Sequence, residues 1–234
     1  MTMVTKKTVF IIVPGIESDP DNQRGWTDEF ATELNIRTPE WVQAEKFEYF
    51  AKWYSRWWKQ EQRAKDLMRR VNRYLNADYR AVLIGHSNGC DLIGLVLDMG
   101  VRVDAVHLFA AATKEKYFEA AIASRQVRRV HLYGSSTDDA LRVAKATGGL
   151  LSLVGKGYGS LGLRGPEFAA KYPGIVEDHG IPGYRHSTWF APGHLDATIE
   201  LLMMNEQADR LSSETMVAPA ITMPPEEPPT TKLP

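Results

Sequence analysis

The feature that most constrains this chain is the sequence Gly85-His86-Ser87-Asn88-Gly89, which follows a short Ala-Val-Leu-Ile run. The run predicts a buried strand, and apolar residues at helical spacing follow the second glycine. A serine on a sharp turn from strand to helix needs small residues two positions away on each side, because larger side chains would collide at the bend. The start of the helix also directs backbone N–H groups toward negative charge. This context makes Ser87 a candidate nucleophile, and the alternative is an ordinary serine in a glycine-rich turn.

Strand and helix patterns alternate along the rest of the chain. Continuous apolar runs indicate parallel strands that are covered on both faces, and apolar residues at a period of about 3.6 indicate the helices between them. This alternation predicts one α/β domain with a mostly parallel sheet of about six strands flanked by helices, and with reactive groups at the carboxyl ends of the strands. The predicted strands include residues 8–13, the second half of 41–50, 101–112, 127–133 and 174–178, and the predicted helices include 27–34, 53–75, 92–97, 113–124 and a last one from 195.

Composition limits the classes of partner. The chain of 234 residues suffices for one domain, and 28 basic against 29 acidic side chains give a net charge of -1, which attracts neither nucleic acid nor an anionic membrane. The basic face of the helix at 53–75 is interrupted by Glu61 and Asp66, so a solvated surface explains it better than nucleic-acid binding. No apolar stretch approaches the roughly 20 residues of a membrane span. We expect a cytoplasmic protein.

The chain divides into a domain at 1–211 and a tail at 212–234. The tail is rich in Pro, Glu and Thr, and this composition predicts disorder. The apolar run after Lys6-Lys7 is too short for a signal peptide and ends at Pro14-Gly15. It is better interpreted as the first strand. The single cysteine, Cys90, excludes an internal disulfide.

The Gly-x-Ser-x-Gly turn and the order of elements resemble the α/β-hydrolase superfamily, in particular its small serine esterases and lipase-like hydrolases, over about residues 8–205. The resemblance implies a nucleophile, an acid and a histidine in that chain order. Asp138 follows the strand that ends at Tyr133, in an Asp-Asp-Ala-Leu segment similar to that of the family. Asp139 is the alternative acid, Asp178 stays open, and Asp104 begins a strand at the opposite end of the sheet.

Six histidines compete for the role of base. His186 opens a His-Ser-Thr-Trp-Phe segment that resembles the His-Ser-x-aromatic segment of small serine hydrolases, and His194 is the alternative. His107 and His131 lie inside strands and are interpreted as packing residues. The remaining two are His86, which is fixed at the turn itself, and His179, a surface residue or a pocket wall.

In the resembled family, two backbone N–H groups stabilise the oxyanion, and the matching positions are Ile16 and Asn88. We expect no cofactor and no metal. The glycines between 155 and 165 follow no strand and lack a following Lys-Ser or Lys-Thr, so they do not form a phosphate loop. His194-x-Asp196 lacks a third metal ligand. Large aromatic residues line an acyl pocket or belong to the core: Trp26, Trp53, Tyr158, Trp189 and Phe190.

The resemblance therefore implies a serine hydrolase that cleaves a small-molecule carboxylic ester, or a thioester, through an acyl-enzyme on Ser87. His186 would be the base, and Asp138 would orient it. Two alternatives use the same residues. One is a hydrolase-like binding or scaffold protein with an idle triad, and the other is an acyltransferase.

Overall fold

One parallel sheet forms the centre of the protein. The computed structural model describes residues 6–15, 25–49, 56–143 and 159–215. Its strands are β1 (Thr8–Val13), β2 (Val42–Lys46), β3 (Arg80–His86), β4 (Val103–Phe109), β5 (Val127–Tyr133) and β6 (Val176–Asp178). Their spatial order is β2, β1, β3, β4, β5, β6, and every neighbouring pair is parallel.

Helices cover both faces of the sheet. They are α1 (Trp26–Arg37), α2 (Arg56–Asn76), α3 (Asn88–Asp98), α4 (Glu115–Ala123), α5 (Gly165–Lys171) and α6 (Leu195–Thr215). A further helical segment occupies residues 139–143, and short 3-10 turns occupy Leu161–Leu163 and Thr188–Phe190. The prediction of a parallel sheet of about six strands flanked by helices is confirmed.

Alternate strand residues supply two separate cores. Val9 and Ile11 of β1 face the layer that contains α2, α3, α4 and α5. Phe10 and Ile12 of the same strand face the layer that contains α1 and α6. Because both faces of each central strand are covered, β1 and β3 are buried along their whole length, which explains their continuous apolar sequences.

The second strand was predicted in the wrong half of its segment. It occupies Val42–Lys46, and residues 47–49 lie beyond the ladder, while residue 51 lies outside the described residues. The neighbouring strand β1 ends at Val13, so only one more backbone bond forms, from the Phe47 N–H to the Ile12 carbonyl at 2.8 Å. The apolar alternation at Phe47 and Tyr49 reflects ring packing, with centroids 5.7 Å apart.

Two further elements differ from the sequence-based expectations. Helix α5 was not predicted, because it follows a glycine-rich segment, although Pro166 in its first turn is a residue that favours helix starts. Helix α6 continues to Thr215, past the predicted domain boundary at 211. The tail stays a prediction, since residues 216–234 lie outside the described part of the chain.

The order of strands defines where a site can form. Strand β1 lies between β2 and β3, so the connections from β1 and from β3 leave the sheet in opposite directions. A crevice forms at the carboxyl ends of strands at such a switch point. Gly15 follows β1 and Ser87 follows β3, and a Cβ added to Gly15 would lie 3.1 Å from the Ser87 Cβ. Ser87 therefore lies at the switch point.

Candidate active site

Ser87 forms the whole turn between β3 and α3. Strand β3 ends at His86 and helix α3 begins at Asn88. Ser87 has φ 53° and ψ −119°, a conformation that costs a non-glycine residue about 1–3 kcal/mol. Backbone bonds hold it there: the Ser87 N–H donates to the Phe109 carbonyl at 2.9 Å, and the Ser87 carbonyl accepts from the Ala112 N–H at 3.2 Å. The turn is thus fixed by β4 and its following loop.

The two glycines of the motif are needed for different contacts. A Cβ on Gly85 would lie 2.7 Å from Ile93 and 3.1 Å from the Cys90 backbone, in the first turns of α3. A Cβ on Gly89 would lie 2.2 Å from the carbonyl oxygen of Val13, at the end of β1. The motif predicts a collision at the bend itself. In the structure, Gly85 lets the helix approach its own strand, and Gly89 lets it approach the neighbouring strand.

The structure brings His186 between Ser87 and Asp138. The His186 Nε2 lies 2.8 Å from the Ser87 Oγ, and the His186 Nδ1 lies 2.9 Å from the Asp138 Oδ2. The imidazole is 23% exposed, whereas the carboxylate is 2% exposed. Because the carboxylate only accepts, the Nδ1–H donates to it and the Nε2 accepts from the serine hydroxyl. This tautomer can take a proton from Ser87.

Asp138 is held by a second hydrogen bond on its other oxygen. The Leu141 N–H donates to the Asp138 Oδ1 at 3.0 Å, so Asp138 caps the helical segment at 139–143. One oxygen is thus used by the backbone, and the other is directed at His186. The neighbouring Asp139 is 78% exposed, and Arg142 lies 3.9 Å from it. The alternative acid is therefore directed toward solvent.

The remaining alternatives lie elsewhere. The His194 Nδ1 is 3.2 Å from the Tyr184 hydroxyl. Asp178 lies against Gly165. Burial raises the pKa of Asp178 above its ordinary value, and a hydrogen bond from the Gly180 backbone offsets part of that shift. Asp104 lies 3.6 Å from Arg80 at the start of β3, which is the opposite end of the sheet from Ser87.

His86 supports the segment that carries His186, a role that the sequence analysis did not identify. The His86 Nε2–H donates to the His186 backbone carbonyl at 3.0 Å, and the two rings are 5.1 Å apart. Burial, together with the nearby His186, lowers the pKa of His86 to about 4, so the ring is neutral at pH 7. The sequence offered one signal for this role, which is that His86 directly precedes the serine. Successive side chains of a strand lie on opposite faces of the sheet, so the His86 side chain leaves the strand on the face opposite to its neighbours.

The backbone N–H of Asn88, one of the two expected oxyanion donors, lies at the start of α3. Asn88 is the first residue of this helix, and the first N–H groups of a helix have no acceptor within the helix. The Asn88 side chain is 1% exposed, and neither its amide oxygen nor its nitrogen has a partner within the described ranges. The other expected donor, Ile16, lies outside the described residues.

The aromatic candidates belong mainly to the core. Trp189 and Phe190 are 2% and 7% exposed and pack beneath α6. Trp26 stacks on Phe190 at 3.6 Å and contacts His86 edge-on at 5.4 Å. Trp26 and Phe190 thus both pack against His86. Trp53 and Tyr158 lie outside the described residues.

An apolar groove of about 700 Å³ opens at the other end of the molecule. Its lining includes Thr8 and Arg80, at the starts of β1 and β3, together with Met203 and Leu211 of α6. Ser87 follows the carboxyl end of β3, so the groove is separate from the candidate active site. Among the helices that the structure describes, none combines the length and apolar content of a membrane span.

The fold is similar to several solved structures. Est1E from Butyrivibrio proteoclasticus is 14% identical, with a TM-score of 0.55, 88% of this chain covered and 89% of that one. A putative YdeN-like hydrolase from Pectobacterium atrosepticum is 13% identical, with a TM-score of 0.52 and coverages of 86% and 92%. An uncharacterized protein from Bacillus cereus is 12% identical, with a TM-score of 0.57, and the similarity spans 90% of this chain but only 62% of that protein. No family model and no curated protein sequence matches.

Proposed function

We propose, from the α/β-hydrolase fold of this chain, that the protein is a serine hydrolase that cleaves a small-molecule carboxylic ester, or a thioester, through an acyl-enzyme on Ser87. The observation that carries the proposal is the line of hydrogen bonds from Ser87 through His186 to Asp138. Esterases among the solved structures of similar fold, Est1E and esterase PE8, support the choice of an ester.

The first half of the reaction follows from the tautomer of His186. The Ser87 Oγ attacks the ester carbonyl carbon while the His186 Nε2 takes the hydroxyl proton. Asp138 stabilises the resulting imidazolium and holds the ring. The carbonyl electrons move to oxygen, and the Asn88 N–H stabilises that oxyanion, with the Ile16 N–H as the expected second donor. One such donor is worth about 10²–10³ in kcat.

The second half regenerates the serine. The tetrahedral intermediate collapses, the bond to the leaving alcohol breaks, and the imidazolium gives its proton to the departing oxygen. A water molecule then loses a proton to His186 and attacks the acyl carbonyl, which releases the acid and restores the Ser87 hydroxyl. Each step uses a group of this chain, so the proposal needs no metal and no cofactor.

The test combines covalent labelling with turnover. We expect a fluorophosphonate probe to modify Ser87, as located by peptide mass mapping, and the Ser87→Ala variant to resist the probe. The same variant should lose at least about 10³-fold in ester turnover while its melting temperature stays near that of the native chain, because only one hydroxyl is removed. Turnover should be measured on a panel of esters that vary in acyl length, with thioesters included.

Two outcomes would replace the proposal. Turnover that survives Ser87→Ala would exclude the acyl-enzyme on this residue, whereas saturable ester binding without turnover would indicate a binding protein with an idle triad. Adding an alcohol acceptor separates a hydrolase from an acyltransferase. A hydrolase should release mainly the free acid, whereas an acyltransferase should form mainly the new ester.

A further inference from the structure

A second group of chemically capable side chains lies at the edge of the sheet, away from Ser87. His131 is in the middle of β5, Glu177 is its register partner in β6, and His179 follows β6 directly. The His131 Nδ1 lies 3.0 Å from the His179 Nε2. The Glu177 Oε2 lies 3.8 Å from the His131 nitrogen and 3.7 Å from the His179 nitrogen. Three ligand atoms thus form a small triangle.

The size of this triangle suits a tetrahedral metal ion. Zinc bonds to histidine nitrogen and carboxylate oxygen are about 2.0–2.2 Å long, so neighbouring ligand atoms in a tetrahedron lie about 3.3–3.5 Å apart. The three separations of 3.0, 3.7 and 3.8 Å lie on either side of that value. Small side-chain rotations would therefore place the three atoms around one ion.

The hydrogen bonds of the neighbouring side chains fix which atoms carry hydrogens. The Glu206 carboxylate accepts from the His107 Nε2–H at 2.9 Å, so the His107 Nδ1 accepts from the Tyr133 hydroxyl at 2.8 Å. The Tyr133 oxygen then accepts from the Asn205 amide nitrogen at 2.8 Å. The same amide nitrogen lies 3.2 Å from the His179 Nε2. The His179 Nε2 therefore lies within hydrogen-bond distance of both the Asn205 amide nitrogen and the His131 Nδ1.

His131 is held from its other side by Asp209. Its Nε2–H donates to the Asp209 Oδ2 at 2.9 Å, so its Nδ1 carries a lone pair. That lone pair is directed at the His179 Nε2, 3.0 Å away, and the His131 side chain is only 1% exposed. A cation between the two nitrogens would take the place of the hydrogen that the His179 Nε2 otherwise donates to the His131 Nδ1.

The surroundings match those of known metal ligands. A metal-binding histidine commonly donates its other N–H to a carboxylate, which orients the ring, and Asp209 holds His131 in this way while Arg129 lies 3.2 Å from Asp209. The Glu177 side chain is 45% exposed, so an ion can enter from solvent. Two imidazoles and one carboxylate favour zinc over magnesium or calcium, which prefer oxygen ligands.

We propose that His131, His179 and Glu177 bind a divalent transition-metal ion, zinc in the first place, with water in the fourth position. The ion would join β5 to β6, an edge strand of three residues that pairs with β5 alone in the described sheet. It stabilises this edge and takes no part in the chemistry at Ser87. The proposal is therefore independent of the proposed hydrolase function.

The test uses the full chain after removal of metal by a chelator. Zinc affinity is measured by competition with a chromophoric chelator, and Co²⁺ is added separately to obtain the absorption bands of tetrahedral cobalt. We expect one ion per chain and a melting temperature that rises with zinc concentration, because an ion that binds only the folded state stabilises it. The proposal is overturned if cobalt gives no tetrahedral absorption bands and zinc does not raise the melting temperature.

Matched variants assign the ligands. Glu177→Gln and His179→Asn should each weaken zinc binding at least about tenfold. Glu200→Gln, an exposed carboxylate on α6, and His194→Asn should retain the affinity of the native chain. Because Glu177 is largely exposed, its variant should fold even if His179→Asn does not. Binding that is unchanged in Glu177→Gln, or lost equally in the two controls, would show that the ion binds elsewhere.

Discussion

Two histidine–carboxylate pairs in this molecule share one geometry and differ in their surroundings. His186 lies 2.9 Å from Asp138, and His107 lies 2.9 Å from Glu206. In each pair one ring nitrogen donates to the carboxylate. The other nitrogen of His186 faces the hydroxyl of Ser87, whereas the other nitrogen of His107 faces the Tyr133 hydroxyl. The difference shows that the group at the second nitrogen, and not the pair itself, determines what the pair can do.

Position in the sheet explains that difference. His107 lies inside β4, fully buried beneath α6, and its ring stacks on His131 at 4.5 Å. His186 lies in a turn and is 23% exposed, beside the strained turn after β3. A strand interior thus provides a dry, closed network, whereas the carboxyl end of the sheet leaves one side of the ring open to a substrate.

Changing each carboxylate to its amide tests this difference between the two pairs most directly. In Asp138→Asn, the side-chain oxygen can still accept from the Leu141 N–H, so the cap and the fold should persist. The amide N–H would instead donate to the His186 Nδ1 and force the proton onto Nε2, where it opposes Ser87. We expect kcat for a short-chain ester to fall about 10⁴-fold. An unchanged melting temperature is the control, and full activity would contradict the role of Asp138.

The matching change in the buried pair should lower the stability of the fold and leave turnover unchanged. Glu206→Gln leaves the Arg80 guanidinium, which lies 2.6 Å from the carboxylate and is 9% exposed, without its buried partner. We expect a loss of about 3 kcal/mol in the free energy of unfolding and a melting temperature about 6–12 °C lower. Turnover per folded molecule should stay the same. A stable variant with reduced kcat would mean that the buried pair communicates with the site.

A third measurement uses pH. The pKa of His86 is about 4 in the folded protein and 6.5 in the unfolded chain, because burial and His186 disfavour its charge while Asp138 offsets part of this. The unfolded chain therefore binds the proton first on acidification. The contribution of His86 to stability is complete above about pH 6.5 and is lost as the pH falls toward 4.

Urea unfolding between pH 7.5 and 4, with a chelator present, checks this expectation. His86→Gln keeps an N–H donor for the His186 carbonyl but does not titrate. The variant should lose less stability on acidification than the native chain, by up to about 3 kcal/mol. Parallel pH profiles for the two proteins would show that His86 is not buried as neutral imidazole.

The smallest effects are expected for the two rejected alternatives. Asp139 is exposed, and the hydrogen bond described for the His194 side chain is the one with the Tyr184 hydroxyl. Asp139→Asn and His194→Asn should each change stability by about 0.5 kcal/mol or less, with kcat within about twofold. A large loss in kcat for His194→Asn, together with an active His186→Ala, would reassign the base.

Local sequence predicted the central strands well and the long-range pairs poorly. The bounds of β1 agree with its apolar run because both faces of this strand are covered, and the bounds of β5 also agree although Arg128 near its start is exposed. Strand β2 was displaced because ring packing imitates strand alternation. Chain order led to Ser87, Asp138 and His186, which the structure brings together, while their catalytic roles stay a prediction.

The buried network could not be predicted from the chain alone. His107 and Glu206 are 99 positions apart, and no periodicity of β4 indicates which carboxylate on a distant helix will meet it. His131 and Asp209 are separated by 78 positions in the same way. A histidine inside a strand was therefore interpreted as packing, and the carboxylates of α6 were not identified as its partners.

Helix α6 also sets when this protein can fold during synthesis. The N–H donors of His107 and His131 in β4 and β5 find their acceptors on Glu206 and Asp209, near the end of the described chain. Until translation reaches α6, these rings and Arg80 are without their partners, and the face of the sheet that α6 covers stays exposed. Folding of this domain can therefore be completed only after its last helix has emerged from the ribosome.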